Sequence, residues 1–136
     1  MMKISKLLCK SFALLSLLLI ACSNTDDIQQ KVTEIDASQL KVRDPFIFYD
    51  ADTDYYYLHV NGTLKVKSYK SKDLLTWQEN GYSFLPSAGF WGKEDFWAPD
   101  FYKYEDKYYL FITLSAPGVK RGTSVLVSDR VTGTFQ

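Results

Sequence analysis

Pro45-Phe46-Ile47-Phe48-Tyr49, Tyr55-Tyr56-Tyr57-Leu58-His59-Val60 and the alternating stretch from Leu64 to Tyr69 decide the fold. Asp50-Ala51-Asp52-Thr53-Asp54 and Asn61-Gly62 separate them. Asp, Asn and Gly reverse a chain because they tolerate the backbone angles that turns need. Ser71-Lys72-Asp73-Leu74-Leu75-Thr76-Trp77 then leads into a short fourth strand. The same order recurs: Pro99 to Tyr104, a turn at Glu105-Asp106-Lys107, Tyr108 to Ile112, Ser124 to Ser128, and a start at Gly133-Thr134-Phe135. Phe46 aligns with Phe101 at an offset of 55 residues, and Ser71 with Ser128 at 57. A four-strand unit recurring at this spacing predicts an all-β chain built from propeller blades, about two of them. Tyr55 to Val60 is apolar on both faces, which suits a sheet covered on both sides. A β-sandwich is the alternative reading of the pattern.

Ten Tyr, nine Phe and three Trp make up 16% of the 136 residues. Rings in that number build a β-rich core, and a minority can stack on the C–H faces of sugars. Sixteen basic residues balance sixteen acidic ones, so no basic excess points to nucleic acid.

The first residues form a targeting segment. Lys3, Lys6 and Lys10 precede an uncharged apolar stretch from Ser11 to Ala21. That stretch falls short of the roughly 20 apolar residues that span a membrane. It ends in Leu19-Ile20-Ala21-Cys22, which resembles a bacterial lipobox, where a Cys is lipidated after cleavage. The expected organisation is a lipoprotein signal over 1–21, a polar tether over 22–40 and a partial propeller over 41–136. Membrane association then rests on the lipid at Cys22 alone. Ser23-Asn24-Thr25-Asp26-Asp27 resembles the export signal of some outer-membrane lipoproteins, so the expected location is the outer membrane, on its periplasmic or cell-surface side. Without residues 1–21, thirteen basic residues face sixteen acidic ones, a net charge of −3. Cys9 leaves with the signal and Cys22 carries lipid, so no thiol remains for a disulfide or metal site.

The innermost strand of each blade lines the axis of a propeller, and its first residues sit at the mouth of the channel. Two such strands begin at Arg43-Asp44-Pro45 and Trp97-Ala98-Pro99-Asp100. At an offset near 55, Asp44 and Asp100 fall at nearly equivalent positions and are expected to face one cleft. Two acids converging across a cleft are what glycoside hydrolysis requires. Trp91 and Trp97, beside Phe90 and Phe96, are candidates for stacking on sugar rings, with packing between blades as the competing role. Phe46 heads the first inner strand and joins them as a candidate substrate contact. His59 lies mid-strand, and one imidazole makes no metal site.

Val42-Arg43-Asp44-Pro45, Ser71-Lys72-Asp73-Leu74 through Trp77, Phe96-Trp97-Ala98-Pro99-Asp100, Lys107 to Phe111 and Arg121 to Asp129 together resemble glycoside hydrolase family 43. The resemblance runs in order from residue 42 to 136. It implies a five-bladed propeller that hydrolyses α-L-arabinofuranosides or β-D-xylosides of plant polysaccharides with inversion, the partner being an arabinose- or xylose-containing glycan. It implies that Asp44 is the general base and that Asp100 tunes a pKa and orients the sugar. It allows a calcium ion on the axis, although no ligand set is visible. It also implies a general-acid Glu in a later blade, beyond Gln136. Of the Glu residues in the chain, Glu94 is the one candidate for that role, whereas Glu34, Glu79 and Glu105 fall in the tether, an outer strand and a distal turn. The expectation is therefore a chain that stops short of the acid. Two rival classes stand beside the enzyme: a non-catalytic propeller remnant or carbohydrate-binding lipoprotein, and a relative of the invertase-like propellers.

Overall fold

The computed structural model describes residues 33–136, so the signal segment, Cys22 and most of the tether lie outside the described residues. Eight strands follow one another: β1 (Glu34–Asp36), β2 (Phe46–Asp50), β3 (Tyr55–Gly62), β4 (Lys65–Ser71), β5 (Thr76–Phe84), β6 (Glu94–Tyr104), β7 (Lys107–Ala116) and β8 (Val119–Ser128). They form a five-stranded sheet in the order β1-β5-β4-β3-β2 and a three-stranded sheet in the order β6-β7-β8, with all pairings antiparallel.

The tether ends earlier than the sequence pattern suggests. Glu34, Ile35 and Asp36 pair with Gln78, Trp77 and Thr76 at the outer edge of the first sheet. A 3-10 turn over Ala37–Gln39 follows, and Asp36 caps it by accepting from the Ser38 N–H at 2.9 Å. One apolar residue in a three-residue strand carries no period, so only its packing beside Trp77 reveals it.

The two sheets pack face to face. Phe46 and Phe48 on β2 and Tyr57 on β3 meet Phe101, Tyr108 and Leu110 of the second sheet in one core. Phe48 lies 5.0 Å from Phe101, ring centre to ring centre, and the His59 imidazole stacks on Phe101 at 4.1 Å. The opposite face of the first sheet is also apolar. There Leu58, Val60, Tyr69 and Trp77 are buried beneath Ile35, Ala37 and Leu40. The opposite face of the second sheet shows Tyr102, Tyr104 and Val125 half-exposed or more. A sandwich turns its outer faces to water; sheets apolar on both faces are stacked as blades are.

The last residues depart from the expected fourth strand in form. Gly133-Thr134-Phe135 is not a regular strand, yet Phe135 is buried and its N–H donates to the Ser83 carbonyl at 3.3 Å. Pairing with β8 starts at Gln136, which exchanges two backbone bonds with Val127.

Candidate functional site

Stacking of the sheets corrects the repeat by one residue. Phe46 pairs with His59 and faces the second sheet. Its counterpart on β6 by register is Asp100, which pairs with Phe111 and faces away from the first sheet. Phe101 points the other way, into the core between the sheets. The structural offset along the inner strands is therefore 54, and a one-residue slip turns every side chain to the other face. Asp44 then matches Ala98, and the backbone agrees: Asp44 has φ 49° and Ala98 φ 45°. Non-glycine residues seldom take such angles, Asp more readily than Ala. Each is followed by a proline that opens the inner strand, Pro45 and Pro99.

Asp44 and Asp100 consequently fall at different positions of their strands. Asp100 lines a concavity of about 780 Å³ with Tyr102, Tyr104, Tyr109, Phe111 and Thr113 on the open face of the second sheet. Asp44 is not part of that lining. It sits at the head of β2, half-exposed, with its carboxylate 3.5 Å from the Arg43 guanidinium.

The surroundings of Asp44 come from three elements. Arg43 reaches over the Trp97 ring, 5.6 Å from its centre, and Arg121 of β8 lies 4.1 Å from the same centre. Cations are drawn to the electron-rich ring faces. Arg121 is held by Asp95 at 2.7 Å, and Asp95 also accepts from the Ser115 hydroxyl at 2.7 Å. Those two contacts, Ser115 first, hold the Asp95 carboxyl below its usual range. Trp97 sits where the β6–β7 register shifts on both sides of it, between Glu94 and Trp97 and between Trp97 and Asp100. Such irregularities re-aim side chains, and here they turn the indole toward the head of β2. A cavity of about 410 Å³ lies between Asp95, Phe96 and Trp97 on one side and Asn61 to Leu64 of the β3–β4 hairpin on the other.

The remaining candidates fall in different places. Trp97 lines this cavity, although two guanidinium groups compete for its ring. Phe46 packs on Tyr102 at 5.5 Å. Trp91 lies against β8 and donates its indole N–H to the Ser124 hydroxyl at 2.9 Å; it lines neither the Trp97 cavity nor the one around Asp100. Glu94 is exposed and opens β6 rather than standing in a loop. Asp95 and Arg121, which brace Trp97, carry no strand-head pattern in the sequence; the Pro45–Pro99 spacing of 54 is the signal that sets the register. Among the described residues no group of three or more His, Cys, Asp or Glu could hold a metal ion.

The sequence model for glycosyl hydrolases family 43 matches residues 37–136. Among solved structures, an endo-arabinase from Bacteroides thetaiotaomicron VPI-5482 is similar at 59% identity and a TM-score of 0.73. The match covers 75% of this chain and 36% of that one. A thermostable family-43 glycoside hydrolase is similar at 24% identity and a TM-score of 0.64, over 70% of this chain and 31% of its own. A family-43 enzyme from Xanthomonas citri complexed with xylose aligns at 17% identity and a TM-score of 0.63, over 78% of this chain and 34% of its own. The chain thus spans about a third of the length of these structures. No curated protein matches it.

Proposed function

Because the chain belongs to glycosyl hydrolases family 43, we propose that it carries the base-bearing part of an inverting glycosidase that acts on α-L-arabinofuranosides, with Asp44 as the general base. The geometry at Asp44 carries the reading. A left-handed residue before Pro45 holds a half-exposed carboxylate at the head of the inner strand, beside Arg43 and within one residue of the Trp97 contact. Strained backbone of this kind concentrates at functional sites. An ionised carboxylate there can take a proton from a water attacking the anomeric carbon, opposite the departing oxygen. Inversion needs a second, protonated carboxyl about 6.5–9.5 Å away to donate to that oxygen. Among the described Glu residues, Glu94 at the head of β6 is the one candidate for it. The likeness to an endo-arabinase at 59% identity favours arabinose over xylose. Asp100 occupies the position of Phe46, not of Asp44, and is the weaker catalytic candidate.

The test compares hydrolysis of α-L-arabino- and β-D-xylo-oligosaccharides by the protein and its variants. Turnover by the unsubstituted protein that Asp44→Asn lowers by about 10²–10⁴-fold, the range for loss of a positioned base, would support Asp44 as the base and point to Glu94 as the acid. Asp100→Asn should keep at least about a tenth of it, as expected for a carboxylate outside the proton-transfer path. Sugar binding without turnover in the unsubstituted protein would instead favour a carbohydrate-binding role.

The anchor belongs to the same proposal. A charged n-region, an apolar stretch and Leu19-Ile20-Ala21-Cys22 support lipidation at Cys22 and an outer-membrane location. Cys22→Ala is expected to move the protein from the membrane fraction to the soluble one; unchanged partitioning and processing would refute the anchor.

A further inference from the structure

The β3–β4 hairpin separates two concavities. One is the cavity beside Trp97; the other, of about 460 Å³, opens toward the face of the first sheet turned away from the second. Lys41, Arg43, Lys65 and Lys67 line the second, and no carboxylate does. Lys72 pairs with Asp54, Lys103 with Asp52, Lys107 with Asp129 and Arg121 with Asp95, whereas Lys70, Lys93, Lys120 and Arg130 stand without an ion pair among the described residues but do not gather in one recess. Among the described residues, Lys41, Lys65 and Lys67 have no carboxylate within 4.0 Å. Arg43 touches Asp44 at its edge, and Lys65 lies over the Tyr82 ring, 4.7 Å from its centre, with its ammonium 3.3 Å from the Tyr82 hydroxyl. Glu79 borders Lys67 in a neighbouring concavity without forming an ion pair with it. A recess lined by one sign of charge over low-dielectric walls focuses its field and concentrates counter-ions.

We propose that this recess binds the carboxylate of an acidic sugar residue carried by the glycan. The inference deepens the glycosidase reading and rests on it for the nature of the ligand. Three features select a sugar acid over another anion. Val60 and Tyr69, otherwise buried, give the recess a narrow apolar edge for ring C–H groups. Asn61 and Thr63 supply hydrogen-bonding groups for hydroxyls beside the cations. Asn61 to Thr63 also line the Trp97 cavity, so the recess and that cavity share one hairpin as a wall, and Arg43, next to Asp44 in the chain, lines the recess. The volume is in the range of small-ligand sites. Lys ammonium groups then meet the carboxylate in charge-assisted bonds, stronger than the neutral ones a plain sugar makes.

Calorimetric titration of the full chain with D-galacturonate and with D-galactose isolates the carboxylate. Inorganic phosphate and phosphatidylglycerol vesicles serve as the other anions. The expected result is binding of the uronate, none of galactose, weakening as salt is raised, and at least a tenfold loss in Lys65→Gln/Lys67→Gln. Lys41→Gln, which alters no strand, should weaken the uronate in the same direction if the paired change disturbs the sheet. Asp44→Asn should retain uronate binding; retention together with unimpaired hydrolysis would remove the base assignment and leave the recess standing. Equal binding of the two sugars, no uronate binding, or uronate binding indifferent to all three lysines would overturn the proposal. So would phosphate bound as tightly as the uronate, or vesicles bound through these lysines in place of the uronate.

Discussion

His59 is the one histidine, and the two sheets enclose it completely. Its ring lies flat on Phe101, its Nδ1 is 2.7 Å from the Ser83 hydroxyl, and its Nε2 has no partner among the described residues. Burial disfavours the charged imidazolium and lowers the pKa from 6.5 to about 3. The unfolded chain therefore binds the extra proton between those values and the folded one does not. Stability contributed by the neutral ring is complete above about pH 6.5 and is lost as pH falls toward 3. Between pH 7 and 5 the loss should be about 2 kcal/mol. Urea unfolding at a series of pH values checks it: His59→Leu should flatten the slope in that window. An equal slope in both proteins would show that the imidazole does not titrate on unfolding.

At the scale of elements, the turn from β4 to β5 shows a motif that marks a family for a structural reason. Asp73 accepts from the Leu75 N–H at 2.9 Å, the Thr76 N–H at 2.8 Å and the Thr76 hydroxyl at 2.8 Å. Ser71 accepts from the Leu74 N–H at 2.9 Å, and Leu74 takes φ 66°. The Trp77 indole then donates back to the Leu74 carbonyl at 3.2 Å and is buried beneath β1. These bonds, the Thr76 N–H foremost, hold the Asp73 carboxyl well below the usual carboxylate range. Its contribution to stability is present above the ordinary Asp value of 3.8 and fades as pH falls below it, mostly below the window of His59. Asp73→Ala should lower the thermal midpoint by several degrees and speed amide exchange at Leu75 and Thr76. Unchanged exchange at both amides would mean that the turn holds its shape without the side chain.

Across the whole molecule, the two sheets are joined by more than apolar contact. The Tyr108 hydroxyl on β7 donates to the buried Asp50 at the end of β2, at 2.8 Å. Asp50 also accepts from the Thr53 N–H at 3.0 Å and the Thr53 hydroxyl at 2.7 Å. Burial and the Asp50 carboxylate push the Tyr108 phenol up. Tyr108→Phe keeps the ring in the core and removes one donor from a buried acceptor, a loss of about 1–3 kcal/mol. Equilibrium denaturation should show it; a difference well under 1 kcal/mol would mean that water replaces the hydroxyl, as it does at exposed sites. The corresponding face of the second sheet, with Asp100, Tyr102 and Tyr104, stands open in the described residues. Each blade offers its neighbour the same kind of surface, so the first interface shows what covers the second in a complete propeller.

Strand order, the blade repeat and the position of Asp44 at a strand head were all legible in the chain. Aromatic and β-branched runs punctuated by Asp-rich and Asn-Gly turns specify antiparallel strands locally, and the repeat of that pattern specifies blades. The proposed lipobox and signal are likewise read from local residues, without any fold. The direction of the Asp100 side chain was not legible, because side-chain direction in a strand depends on register to a single residue, and register is set by partners far along the chain. Once Phe101 is buried under Phe48 and His59, Asp100 must face the other way. The same dependence hid β1, which exists only because Trp77 offers it an edge to pair with. It also hid Asp95, Ser115 and Arg121, which lie on three strands and gather at Trp97 only when the second sheet folds. Composition and period act over a few residues and fix elements; the faces that meet, and so the groups that share a site, are decided by packing between sheets.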